Sequence, residues 1–165
     1  MATSDRAAAF SLQLRQAHQE LREWLSRIRL DLGSAAAEPA GLPAHCLAFC
    51  SALTTHHRGE DDGMFGALLA ARPDLAPAIR KLTEDHGAIA GLLRRVQDLA
   101  ARATAAPADG LPRLHRELDG LAAIAESHFR YEERALGAAL DVGIADTGWS
   151  AAVFTPAEPP GGHLD

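Results

Sequence analysis

Few aromatic side chains are present: five phenylalanines, two tryptophans and one tyrosine in 165 residues, set against eight histidines. Having as many imidazoles as aromatic side chains is the odd feature of the composition. Cysteine is nearly absent, at two residues, which excludes a disulfide framework. No secretory signal core is legible, because Asp5 and Arg6 fall where its apolar run belongs, and a cytoplasmic protein is expected. Long apolar runs are missing too. Nothing approaches the roughly 20 uninterrupted residues of a membrane span. Basic clusters are also lacking: 16 Lys and Arg against 22 Asp and Glu leave a net charge of −6. Replacing phosphate counterions requires such clusters, so neither nucleic acid nor an anionic membrane surface is an expected partner. Finally, there is no alternating β-branched run, and no Asn-Gly or Asp-Gly turn between such runs, so strands are not expected.

What the chain does contain is helical periodicity. Leu14, His18, Leu21, Leu25, Ile28 and Leu32 recur in steps of three and four and lay one stripe along a helix. Breakers follow at Gly33-Ser34 and Glu38 to Gly41. A second stripe is Cys46, Phe49, Leu53, His56, Glu60 and, less cleanly, Met64 and Leu68, with Pro43 near its start and Arg72-Pro73 at its end. The third, from Leu75 through Ile79, Leu82, His86, Ile89, Leu93 and Val96 to Leu99, has Asp74 as its expected N-cap. A linker is expected from Thr104 to Gly110. The fourth stripe is Leu114, Leu118, Leu121, Ala125, His128, Glu132 and Leu136. Short connections make neighbours antiparallel, so the expectation is an all-α, up-down-up-down four-helix bundle. It would occupy residues 1–140, with a C-terminal tail at 141–165 that is either disordered or folded back.

Polar residues stand inside these stripes. His18, His56, Glu60, His86, His128 and Glu132 are all in phase with leucines. A buried carboxylate is costly unless paired or bound to metal. His56 and Glu60 are four positions apart, as are His128 and Glu132, so each pair stacks on one helix face where both side chains can reach a single ion. The pattern also repeats. His18 precedes His56-His57-Arg58-Gly59-Glu60-Asp61 much as His86 precedes His128-Phe129-Arg130-Tyr131-Glu132-Glu133. Two helix hairpins, each giving two histidines and one glutamate, would form a quasi-symmetric dinuclear site.

On these residues the sequence resembles the hemerythrin family, in its "HHE cation-binding" branch. The His-His-x-x-acid-acid run at His56 to Asp61, followed by Met64-Phe65, adds to the likeness. The resemblance implies a four-helix bundle holding two non-haem irons, with His18, His56, His86 and His128 as terminal ligands and Glu60 and Glu132 bridging. Oxygen-carrying members have a further histidine one turn after the third-helix histidine, where this chain has Ala90. An open coordination position beside Ala90 is therefore expected, which favours reaction with dioxygen or hydrogen peroxide over oxygen transport. The alternative is an oxygen- or iron-sensing module without turnover. His57 with Asp61 competes with His56 and Glu60 for the second-helix role, and the match of the two halves favours His56. His45, His115 and His163 read as solvated, Cys46 and Cys50 as small core residues, and Tyr131 as a helix-interface residue. Asp61 and Glu133 read as solvated acids or as partners of histidine N–H groups.

Overall fold

The computed structural model describes residues 9–33 and 41–160. Among them lie α1 (Phe10–Gly33), α2 (Leu42–Gly59), α3 (Phe65–Ala71), α4 (Ala76–Ala105), α5 (Pro107–Leu140) and α6 (Ser150–Phe154). One π-helical turn, Glu60–Met64, joins α2 to α3, so residues 42–71 form a single rod. The four long rods pack antiparallel: α1 lies against α5 and α2, and α4 closes the ring against the same two. No helix among the described residues is long and apolar enough to cross a membrane. The breaker segment at 34–40, the first eight residues and His163 lie outside the described residues.

The predicted stripes are the buried faces. Leu14, His18, Leu21, Leu25 and Ile28 of α1 are buried, as are Ile79, Leu82, His86, Ile89, Leu93 and Val96 of α4. The second stripe reads less cleanly because of the π turn. Steps of four from Glu60 to Met64 and Leu68 would drift around an ordinary helix by about 40° each. A wider turn takes up the surplus and returns Met64, Phe65 and Leu68 to the core, where each is at most 3% exposed.

Two boundaries differ from expectation. The linker at 104–110 shrinks to Ala106, because Pro107 opens α5 where a missing N–H is harmless. Gly110 is then helical, and its role is close packing: a Cβ there would lie 2.7 Å from Ala103 Cα. Asp74 is not an N-cap. It takes two hydrogen bonds from Arg72, at 2.8 and 2.7 Å, and a 3₁₀ turn, Pro73–Leu75, leads into α4 instead.

The core is divided. Leu21, Trp24, Phe49, Leu53, Ile89, Leu118 and Phe129 belong to one apolar cluster. Leu14, Met64, Leu68, Leu82, Leu136, Trp149 and Val153 belong to the other. The in-phase polar residues fall between them: His18 sits between Leu14 and Leu21, and His86 between Leu82 and Ile89. The tail folds back onto the second cluster. Trp149 is 6% exposed, and its ring meets those of Phe10 and Phe154 at centroid distances of 5.4 and 5.6 Å.

Gly110→Ala should lower the stability of the bundle by roughly 1–3 kcal/mol, because the α4–α5 approach leaves no room for a methyl group. Gly120→Ala, in the same helix with nothing within 4 Å of the new Cβ, should stabilise by roughly 0.5–1 kcal/mol. Urea unfolding of the two variants beside the parent protein checks both signs.

Candidate metal centre

Among the described residues, the buried polar or charged side chains are His18, His56, His57, Glu60, His86, His128 and Glu132, each at most 6% exposed. They form one layer. Donor atoms of His18, His56, Glu60 and Glu132 lie within 4.8 Å of one another, and so do those of His57, Glu60, His86 and His128. Glu60 belongs to both groups. Its Oε1 is 3.6 Å from His56 Nε2 and 3.2 Å from His86 Nε2. Glu132 reaches both sides as well, with Oε1 3.3 Å from His18 Nε2 and Oε2 3.8 Å from His128 Nε2. All six residues singled out in the sequence are thus brought together, and a seventh, His57, joins them.

The chemistry of the outer ring nitrogens decides what the inner ones can be. His56 Nδ1 lies 2.7 Å from the Val153 carbonyl, which only accepts, so Nδ1 carries the proton. His18 Nδ1 donates to Glu133 at 2.8 Å and His86 Nδ1 to Asp61 at 2.8 Å. His128 Nδ1 donates to Asp85 at 3.2 Å. In their neutral forms these four imidazoles therefore turn Nε2 lone pairs inward. Those of His18 and His56 face each other across 3.2 Å. Both carboxylate oxygens of Glu60 and Glu132, with Nε2 of His57, His86 and His128, are buried without a hydrogen-bond partner. Each such orphan ordinarily costs about 1–3 kcal/mol. Acceptors crowded against acceptors need a cation between them. Two buried clusters of imidazole and carboxylate around shared glutamates suit a binuclear metal site.

The electrostatics agree. Burial, and next the positive charge that His18 would place beside it, pushes the His56 imidazole down to about 3. Burial and the neighbouring His86 and His56 hold His57 well below the ordinary histidine range, and burial also lowers His128. His18 is the exception: burial is outweighed by the nearby Glu132 and Glu133 carboxylates, and its affinity for a proton rises. Burial and the Glu132 carboxylate push Glu60 far upward. The two glutamates cannot both be ionised here without a positive partner.

Asp61 and Glu133 hold histidine N–H groups, as one of the two sequence readings had it. Asp85 and the Val153 carbonyl do the same without a motif to announce them. Asp85 stands one residue before His86 and reads as a surface acid paired with Lys81, and Val153 acts through its backbone. The match of the two halves favours His56 over His57, but the fold brings both histidines into the layer. The His57 ring stacks on His86, with centroids 3.9 Å apart and 14° between planes, and brings a nitrogen to the ion site that His86 and His128 define. His57 thus offers a donor from another helix beside the position expected to be open at Ala90. Ala90 itself lines a surface cavity of about 330 Å³ with His57, His86, Thr54 and Thr83.

The remaining residues are peripheral. His45 is exposed, and His115 pairs with Asp119 at 3.3 Å. Tyr131 is half-buried beneath the Lys81 ammonium, 4.4 Å from the ring centre. Cys46 and Cys50 are free thiols in the apolar core, pushed by burial up to about 12 and about 11, and neither belongs to a donor cluster.

Such a layer of histidines and glutamates inside an antiparallel four-helix bundle defines a class of helical cation-binding domains. The chain belongs to the hemerythrin family: the hemerythrin HHE cation binding domain matches residues 11–140. No curated protein and no solved structure matches the chain significantly.

Acid should destabilise the metal-free protein. A histidine whose folded pKa is depressed adds stability that is complete above the unfolded value near 6.5 and is lost as pH falls, since the unfolded chain takes up the proton first. His56, held at about 3, should by itself remove roughly 2 kcal/mol between about pH 7 and pH 5. His57 and His128 act in the same direction, and His18 and Glu60, both raised, in the opposite one. Denaturant unfolding of the metal-free protein across that range measures the slope. Stability that rises toward acid would mean that the imidazoles are protonated in the folded state.

Proposed function

We propose that this chain is a non-haem diiron protein that reacts with dioxygen or peroxide. The observation that supports it most is the crowding of inward-facing Nε2 atoms and unpartnered carboxylate oxygens in one buried layer. Imidazole and carboxylate donors without thiolate suit iron. Membership of the hemerythrin family favours the same metal. His18 and His56 would hold one ion and His57, His86 and His128 the other, with Glu60 and Glu132 shared between them. The pair of irons supplies one-electron Fe(II)/Fe(III) chemistry to a small oxidant. With both glutamates shared, the His18/His56 side has two imidazoles against three, which leaves it the greater room for an exogenous ligand.

The rest of the chain's work is positioning and shielding. Glu133, Asp61 and Asp85 fix three imidazole orientations, and their negative charge makes those rings better donors. Phe129 stacks on His18 at 4.1 Å between centroids and keeps water from that side. A cavity of about 400 Å³ between α1 and α5, walled by Leu25, Phe49, Ala125 and Phe129, ends at this ring. Arg22, Ser26, Arg29, Asp119 and Glu126 line the cavity as well, so its wall is of mixed polarity.

Protein purified without added metal and then given iron(II) should hold about two irons per chain by elemental analysis. Glu60→Ala and Glu132→Ala should lose most of that iron, and Glu133→Ala should lose far less. His57→Ala should lower the loading by about one equivalent. Full loading of His57→Ala would remove His57 from the donor set, and full loading of both glutamate variants would overturn the dinuclear reading. Consumption of hydrogen peroxide by the loaded protein distinguishes turnover from reversible binding or sensing.

A further inference from the structure

The C-terminal segment lies beyond the matched residues 11–140, yet it reaches the centre. The hydrogen bond from His56 Nδ1 to the Val153 carbonyl, at 2.7 Å, is the one outer support of the four that comes from outside the long rods. It is also the one that uses a neutral backbone acceptor. Val153 is fully buried.

The seat for this segment is built of two glycines one turn apart. A Cβ on Gly59 would lie 2.9 Å from both Ala152 Cβ and Val153 Cγ2. A Cβ on Gly63 would run into Trp149, with Cβ of that residue nearest and Cγ at 2.9 Å. Both glycines flank Glu60, the carboxylate common to the two donor groups, and Gly63 is part of the π turn. The segment arrives with its own structure. Gly143 and Gly148 take positive φ angles of 85° and 115°, and Asp146 accepts from the Gly148 and Ser150 amides. Trp149 Nε1 donates to the Ala145 carbonyl at 3.0 Å.

We propose that residues 149–154 are a working part of the metal centre: docking of this segment and binding of the ion held by His18 and His56 are coupled, each strengthening the other. The inference rests on the binuclear reading above. The docked carbonyl holds His56 in the tautomer that turns a lone pair inward, which is the form an ion requires. Coupling is reciprocal, so an ion that prefers the docked state must hold the segment down by the same factor. Loss of an outer partner of a metal-bound histidine typically weakens binding by about 10–100-fold. The His57/His86/His128 ion draws its outer supports from Asp61 and Asp85, so the segment should affect one equivalent of metal and spare the other.

Hydrogen exchange on the full chain, with and without iron(II) under anaerobic conditions, reads the coupling directly. The Val153 and Thr155 amides, bonded to the Trp149 and Ala151 carbonyls, should exchange about 10–100-fold more slowly when iron is bound. Iron(II) titration of Gly63→Ala should show one of two equivalents weakened by the same factor. Gly66→Ala, on the same rod with open space around the new Cβ, should titrate like the parent. Unchanged exchange at 153 and 155, or equal weakening of both equivalents in Gly63→Ala, would overturn the proposal. Should Gly63→Ala not fold, the exchange measurement on the unaltered chain decides alone. A parent protein that takes up no iron would overturn the binuclear reading and this inference together. Two bound irons with unchanged exchange would overturn this inference alone.

Discussion

Two carboxylates and five imidazoles are buried within one layer, and almost every other feature of the molecule answers to that burial. Hydrophobic packing alone does not account for placing Glu60 and Glu132 at 0% exposure with no donor to either. Desolvating an ionised carboxylate opposes folding by several kcal/mol. A cation between the acceptors reverses the sign of each term: the glutamates become counter-charges, and the facing lone pairs of His18 and His56 become donors to an ion. The layer separates two apolar clusters and is also the place where all four rods meet.

The outer supports show how the helices are tied together. His18 of α1 is held from α5 through Glu133, His86 of α4 from the π turn through Asp61, and His128 of α5 from α4 through Asp85. Each bond joins a donor of one element to a partner on another, so the orientation of every ring depends on the relative placement of two rods. The sequence repeat is therefore only approximate in space. Its two halves do not supply equal sets, because His57 adds a third imidazole to the side of His86 and His128.

The stripes were legible because leucine spacing carries the helical period, and the six in-phase polar residues stood out against it. The His-x-x-x-Glu spacing at His56 and His128 identified the pairs. Three things were hidden. His57 could not be placed because adjacent residues on a regular helix point about 100° apart, and only the packing of α4 against α2 brings its ring over His86. The π turn has no rule of spacing to reveal it, although the uneven steps to Met64 and Leu68 were its trace. Val153 contributes a carbonyl, and a backbone group leaves no mark on residue identity. The boundaries at Asp74 and Pro107 failed for a simpler reason, since capping and breaking propensities yielded to a local ion pair and to close helix packing.

The burial of Cys46 and Cys50 has a bearing on survival. Peroxide attacks thiolate, not thiol. With thiol groups pushed up to about 12 and about 11, the ionised fraction at neutral pH is on the order of one in ten thousand or less. Both sulfurs are also at most 1% exposed. A bundle proposed to meet oxidants at its centre thus offers them hardly any sulfur nucleophile, and its cysteines should outlast repeated encounters that would carry an exposed, acidic thiol to its irreversible oxidation states.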